Sequence, residues 1–492
     1  MSARNDLAQL LIPVLRSTPG RGFSEERPRI DEALAAGVGG FQLVGGEQDV
    51  VRALAKELQL KSRHPLLIAA ELERGAGQQF HGATGLPPVA AIAALGDIES
   101  LRRAARLTAR EARTMGVNWN LAPVCDLDGF VNNPVVGTRA MHADPRMAAT
   151  LITAWIEASQ AEGVLACAKH FPGLGRTTTD TALTMPIVEV SADQLKDQDL
   201  QPFRAAIAAG VASMMTAHVA YPALDPSRVP ATLSREILQW LLRQQLKFDN
   251  LIVSDALTLA GAQSEHSLAQ AAVYALRAGC DVLLDPGPIA STLDALERAA
   301  ADGTLDPERL RQAMRRRLKW AQWASPPNDW RRPSGADTAW GALLADRVLR
   351  VPGEPLPPLG VVTEVAIVDD DADVRASDAG TTSLTEALRA GGNDARPAVA
   401  PTVASGGPLV IGLFADFLPT KSRTTLLPSS IDQVHTLVQQ ARALQREVIV
   451  VGFGDPRFAA QLPTVLPTLS AWSGDRVMQQ AAARALLKVK KT

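Results

Sequence analysis

The stretch ATLSREILQWLLRQQLKFDNLIVSDA, residues 231–256, joins two patterns. Its first part sets Ile237, Leu238 and Leu241 at three- and four-residue spacing, the period of a helix with one buried stripe. Ser234 stands where such a helix needs a cap. Its second part, NLIVSDA, is a short apolar run without charge until Asp255, the pattern of a strand covered on both faces. A helix that feeds a doubly covered strand is one α/β unit, so the fold depends on how often the unit recurs.

Eight such runs lie between Leu10 and Pro286: LLIPVL, GGFQLV, LLIAAE, VNWNLAPV, LACAKHF, SMMTAHV, NLIVSDA and DVLLDP. Helical stretches such as SLRRAARLTAREARTM separate them. Eight alternations predict an α/β fold, a (β/α)8 TIM-type barrel. An open doubly wound sheet is the alternative, but no Gly-rich dinucleotide fingerprint follows the first run. From about residue 325 the texture changes to ASPPNDWRRPSGADTAW and RVPGEPLPPLG, rich in Pro and Gly. Beyond it, EVAIVDD, PLVIGLFADF, EVIVVGFGDP and TLSAW alternate with helical segments such as SIDQVHTLVQQARALQ. The expected organisation is a barrel over residues 1–325, a linker over 326–360 and a smaller C-terminal α/β sandwich domain over 361–492.

Composition narrows the function classes. With 50 basic and 52 acidic residues the formal charge is −2, and no long block carries one sign. A nucleic-acid or anionic-membrane surface needs a clustered basic field, so neither partner is expected. No apolar run approaches the roughly 20 residues that span a bilayer. The N-terminal segment lacks the pattern of a secretory leader. Cys125, Cys167 and Cys280 sit in apolar contexts and read as buried free thiols, so the cytoplasm is the expected address.

In barrels of this type, catalytic side chains come from the carboxyl ends of the strands. The third run ends in Glu71, Glu73 and Arg74, the fourth leads into Asp126 and Asp128, and the fifth ends in Lys169-His170. The sixth carries His218, the seventh Asp255 and the eighth Asp285. Charges are costly to bury unless they serve one another or a ligand. Acids and bases converge without a dense His/Cys set, so a neutral polyhydroxylated ligand is expected, with no metal and no cofactor.

Several segments carry a resemblance. KHFPGLGRTTTD, MTAHVAYPALD, PATLSREILQWLLRQQLKFDNLIVSDALTLAGA and AGCDVLLDP resemble the N-terminal barrel of family-3 glycoside hydrolases, nearest the bacterial β-N-acetylglucosaminidase branch. Upstream, NWNLAPVCDLDGFVNNPVVGTRAMHADP and AAELERGAGQQFHGATGLPP are similar to further segments of that family, and the likeness covers roughly residues 5–320. It implies a retaining, exo-acting glycoside hydrolase of the β-N-acetylhexosaminidase kind, active in carbohydrate metabolism on a small carbohydrate, with amino sugars from cell-wall or chitin fragments as candidates.

Carried over by position, Asp255 matches the carboxylate nucleophile of a double displacement. Its bland alternative is a helix cap after a strand. Lys169, His170 and Arg139 match ligands of sugar hydroxyls, with ion pairs and a satisfied core imidazole as the alternatives. Glu71 stands where the family has an aspartate that binds sugar hydroxyls; a salt bridge to Arg74 or Arg139 is its alternative. His218 either lines the pocket or holds a neighbouring strand end.

The loop KHFPGLGRTTTDTALTMP, residues 169–186, departs from the branch. The resemblance places a histidine at Leu174 and the general acid/base histidine at Ala182, with Asp180 as its partner. The chain has seven histidines, and none lies within nine residues of Ala182. The proton then comes from Asp180, from a carboxyl group elsewhere, or from no group at all. The alternatives are an impaired sugar-binding protein of the same fold and a transglycosylase or phosphorylase.

Overall fold

The computed structural model describes residues 3–263, 266–324, 333–374, 380–401, 407–418, 420–462 and 466–489. The chain divides into two compact units. The first comprises Met1–Thr84, Ile98–Val136 and Ala140–Ser334, and the second Gly85–Asp97, Gly137–Arg139 and Gly335–Thr492.

All eight apolar runs of the first unit form strands. They are β1 (Leu11–Ile12) and β2 (Val14–Arg16), then β3 (Gly40–Val44), β4 (Leu67–Ala70), β5 (Trp119–Asn120), β6 (Leu165–Phe171), β7 (Ser213–Thr216), β8 (Leu251–Val253) and β9 (Leu283–Leu284). The first run is split because Pro13 has no N–H to offer a ladder. Strands β2 to β8 pair in sequence order, each parallel to the next. A parallel bridge from Val253 to Val282 carries β8 onto the eighth run, and β9 pairs with β1 through Leu283 to Leu11 and Leu284 to Ile12. The ring is therefore closed, as a (β/α)8 barrel requires.

Helices fill the crossovers, and their local signals match the sequence. Ser234 Oγ accepts from Ile237 N–H at 3.1 Å at the start of the helix Glu236–Gln245. Asp144 accepts from Arg146 and Met147 N–H at the helix Pro145–Ala161, whose first residue is a proline.

The barrel interior is one apolar cluster that takes alternate residues from β4, β6 and β8. Leu67 and Ala69 come from β4, Leu165 and Cys167 from β6, and Leu251 and Val253 from β8. Successive strand side chains point to opposite faces, so these rows fix which later residues face the barrel axis at its carboxyl end.

The second unit contains a five-stranded parallel sheet built from β10 (Val362–Asp369), β11 (Asp394–Pro397), β12 (Leu409–Phe414), β13 (Val448–Phe453) and β14 (Thr468–Ser470). Their order is β11-β10-β12-β13-β14. One face packs Val368, Ile411 and Val450 on Val434, Leu437 and Val438 of the helix Pro428–Ala443. The other packs Val410, Ile449 and Val451 on Leu384 and Leu388 of the helix Ser383–Ala390 and on Ala482, Ala483 and Leu486 of the helix Arg476–Lys488. This is the α/β sandwich expected after the barrel. Strand β11 has no apolar run; only Ala395 of its four residues is buried, and Pro397 is tolerated because the strand is at the sheet edge. Part of the expected linker is helical, over Gly335–Val348, because GADTAWGALLADRV lies between the prolines and not among them. Residue 325 of the expected barrel and residues 326–332 of that linker lie outside the described residues.

Candidate active site

Extending the interior rows by two residues leads from Ala69 to Glu71 on β4, from Cys167 to Lys169 on β6 and from Val253 to Asp255 on β8. Three alternate strands thus deliver an acid, a base and an acid to the barrel mouth. Lys169 is fully buried, and its Nζ lies 2.8 Å from Glu71 Oε1 and 2.9 Å from Glu73 Oε1. The side chain of Glu73 is buried, whereas that of Glu71 is 39% exposed. Glu71 therefore meets Lys169, where the sequence had offered Arg74 or Arg139 as salt-bridge partners. Gln78 Oε1 accepts from Glu73 and Arg74 N–H, and Asn120 exchanges two hydrogen bonds with the Leu72 backbone. The acidic segment after β4 is held from both sides.

Asp255 is half-buried, and its Oδ1 accepts from Ala256 N–H at 2.8 Å. The next helix begins at Ala260, so Asp255 caps no helix. Burial pushes the Cys167 thiol up to about 12; Lys169 opposes the shift and Asp255 adds to it. The thiol one turn of the row below the mouth thus senses both groups and stays protonated.

His170 is buried, with Nδ1 2.7 Å from Asp126 Oδ2. Asp126 Oδ1 accepts from Leu174 N–H at 2.7 Å and from His170 N–H at 3.3 Å. One carboxylate therefore orients the imidazole and starts the following loop, leaving Nε2 for a ligand. The sequence had marked Asp126 as a strand-end acid without a role.

The loop is braced at three further points. Asn133 Nδ2 donates to the carbonyls of Leu174 (2.9 Å) and Thr177 (3.1 Å), and Asn133 Oδ1 accepts from Val135 and Val136 N–H. Tyr221 donates its hydroxyl to Gly173 O at 2.7 Å. Gly175 cannot carry a side chain, because a Cβ there would stand 2.2 Å from Leu127 O. Arg176 is clamped on Asp199 at 2.8 and 3.0 Å and lies 4.1 Å over the Phe130 ring, so it belongs to the loop's scaffold. No local pattern in the sequence marks Asn133, which is the brace that sequence reasoning missed.

Farther along, Asp180 is buried and its Oδ1 accepts from Ala182 N–H at 2.9 Å. The Thr181 carbonyl accepts from Gly261 N–H at 2.9 Å, and a Cβ on Gly261 would stand 3.0 Å from His218 Cβ. This part of the loop is thereby seated beside the segments that carry His218 and Asp255. Leu174 is buried and Ala182 half-buried.

His218 is fully buried and uses both nitrogens within the protein: Nδ1 meets Thr232 Oγ1 at 2.8 Å and Nε2 meets Ala256 O at 3.0 Å. Burial pushes its pKa down while the charge of Asp255 opposes the shift. It holds the peptide next to Asp255, which is the strand-end reading of this residue. Asp285 is likewise internal, receiving Thr258 Oγ1–H at 2.7 Å and Arg29 at 3.2 Å. Arg139 ends the short turn Gly137–Arg139, which groups with the second unit and not with the barrel.

Set beside known proteins, residues 7–319 match the model described as the glycosyl hydrolase family 3 N terminal domain. The chain is 37% identical over 290 residues to a β-N-acetylglucosaminidase/β-glucosidase of Cellulomonas fimi, covering 57% of this chain and 51% of that one. It is 37% identical over 267 residues to a β-hexosaminidase of Thiobacillus denitrificans, covering 53% of this chain and 74% of that one. The match thus spans about half the length of the Cellulomonas relative. Among solved structures, a glycoside hydrolase family 3 β-N-acetylglucosaminidase from Paenibacillus sp. str. FPU-7 superposes with a TM-score of 0.82 at 25% identity, covering 99% of this chain and 97% of that one. Among the described residues, no helix is long and apolar enough to cross a membrane.

Proposed function

Given that this chain belongs to glycosyl hydrolase family 3, we propose that it is a glycosidase, a retaining, exo-acting enzyme for β-linked N-acetylhexosamines whose loop acid/base has been altered. The observation that carries the reading is the set of three interior rows ending in Glu71, Lys169 and Asp255.

In this reading the Asp255 carboxylate attacks the anomeric carbon while the bond to the leaving oxygen breaks. The resulting glycosyl ester is then attacked by water, which returns the carboxylate and releases the sugar. The free rim of Glu71, held by Lys169, accepts from sugar hydroxyls. His170, oriented by Asp126, adds a second polar contact. His218 acts through Ala256, keeping the peptide beside the nucleophile in place.

Asp180 is the acid candidate nearest to the altered position, and Ala182 stands where the resemblance expects the proton-carrying imidazole. Such proton transfer contributes typically about 10² to 10⁴ in rate. Its weakening spares substrates whose leaving groups depart without a proton. Both Cellulomonas and Thiobacillus relatives carry amino-sugar names, which supports an N-acetylhexosamine from cell-wall or chitin fragments as substrate. A sugar-binding protein without turnover is the second reading, favoured by Ala182 alone.

An activated 5-fluoroglycoside of N-acetylglucosamine, or a 2-fluoroglycoside of glucose, followed by peptide mass spectrometry, decides between them. The enzyme reading expects one glycosyl adduct on Asp255, absent from Asp255→Ala. Sugar binding by calorimetry without any adduct would leave the binding reading standing.

A further inference from the structure

A second charged recess lies at the opposite end of the barrel from Asp255. It has a volume of about 270 Å³ and is lined by Gln239, Arg243, Lys247, Arg309, Gln312 and Arg316, with Phe248 and Asp249 beside them. Asp249 precedes β8 and Asp281 precedes β9, so this is the amino-terminal face of the strands. Six residues of extended chain separate Asp249 from Asp255, about 20 Å at 3.3 Å per residue.

The charges at this end do not balance. Asp281 is fully buried and serves three guanidinium groups: Arg243 at 2.5 Å, Arg309 at 2.9 Å and Arg316 at 3.4 Å. The other carboxylate is Asp249, which is 89% exposed and meets Arg316 at 2.7 Å. Lys247 is exposed, and no carboxylate among the described residues pairs with it. Four cationic side chains thus face two carboxylates.

Neighbouring carbonyls take some of the guanidinium N–H groups. Arg243 donates to Phe248 O and Asn250 O, and Arg309 to Gly279 O and Cys280 O. Those contacts carry no formal negative charge. Nε and Nη1 of Arg309 are buried with no hydrogen-bond partner among the described residues. Burial holds the Arg243 pKa down to about 10, with the nearby Arg316 and Arg309 charges adding to the effect against Asp281. A buried cation surplus with open donors is the complement of a compact multivalent anion.

We propose that this recess is a binding site for a phosphate-class oxyanion, either inorganic phosphate or the phosphate of a phosphorylated sugar. Lys247 and Arg316 are its accessible cations, and Gln312, whose amide also reaches Glu308 Oε1 at 3.4 Å, lines the recess with them. Arg243 and Arg309 supply positive potential from behind. The site is remote from the catalytic mouth, so occupancy stabilises the barrel without competing for the sugar.

The test is the thermal midpoint of the full chain, titrated with inorganic phosphate while sodium chloride keeps ionic strength constant. A second arm uses a hexose 6-phosphate. The expected response is a saturable rise of roughly 2–4 °C. Lys247→Gln raises the half-saturating concentration about tenfold. Gln312→Glu places a carboxylate in the recess and abolishes the response. Asp255→Ala keeps the full response, which separates this site from phosphate binding at the mouth. A stronger response to hexose phosphate assigns the sugar ester as ligand, and an equal one assigns inorganic phosphate. The proposal is overturned by no response, by a response that survives both recess variants, or by one that disappears in Asp255→Ala.

Discussion

Replacing Lys169 by methionine tests the mouth of the barrel most directly. The side chain is fully buried, with two carboxylates at 2.8 and 2.9 Å. Methionine keeps the length and apolar stem of lysine, so packing above Cys167 is largely conserved. What disappears is the charge that compensates Glu73, whose side chain is only 7% exposed. Removing one partner of a buried ion pair costs about 3–5 kcal/mol. Glu71, at 39% exposed, turns part of its carboxylate to water and limits the second penalty. The expected loss for Lys169→Met is therefore about 3–4 kcal/mol, out of a total of roughly 5–15 kcal/mol for a typical domain.

Urea unfolding with calorimetry on the same samples measures the loss, and a cycle with Glu73→Gln isolates the pair. In the double variant the buried carboxylate is gone, so roughly half of the loss returns. Additive effects of the two substitutions, or a loss below about 1 kcal/mol for Lys169→Met, would refute the view that this ammonium holds two acids together at the mouth.

Three further outcomes follow from particular contacts. Ala182→His, run on aryl glycosides with graded leaving groups, should raise turnover mainly for the poorest leaving groups, by no more than about 10² to 10⁴; a uniform change across the series would show that the loop does not lack an acid. Asn133→Ala strips buried partners from Leu174 O, Thr177 O, Val135 N–H and Val136 N–H. It should cost about 2–4 kcal/mol, and hydrogen exchange should speed up in residues 172–178 before the strands. The third concerns pH. Burial and the neighbouring Arg317 charge push the His64 pKa down from 6.5, and its Nδ1 receives Arg317 Nη2–H at 2.7 Å. The unfolded chain then takes up the proton more readily, so the stabilisation is present above pH 6.5 and is lost as pH falls through 6.5 toward the folded value. The thermal midpoint should drop between pH 7 and pH 5 in the wild type and less steeply in His64→Gln; parallel curves would remove His64 from the account.

The barrel was legible because its strands are covered on both faces, and eight runs with apolar centres, charged only at their ends, leave little choice of register or order. The same rule explains the omission in the second sheet. Strand β11 lies at the edge, needs no apolar run, and consists of Asp394, Ala395, Arg396 and Pro397. The helix Gly335–Val348 was hidden because prolines on either side of it colour the composition of the whole segment.

At the site, what could be read was what strand alternation transmits. Glu71, Lys169 and Asp255 continue interior rows that the apolar pattern already defines. Contacts made by loops were not readable, because they join residues far apart in sequence through backbone shape. Asn133 and Leu174, which meet in this way, are 41 residues apart. Asp180 illustrates the division. Its carboxylate engages the N–H of Ala182, a contact that any non-proline residue at 182 would make. The turn therefore does not depend on which side chain stands at that position. An imidazole placed at 182 by substitution therefore leaves this backbone contact in place, which is why Ala182→His tests the loop's chemistry and not its folding.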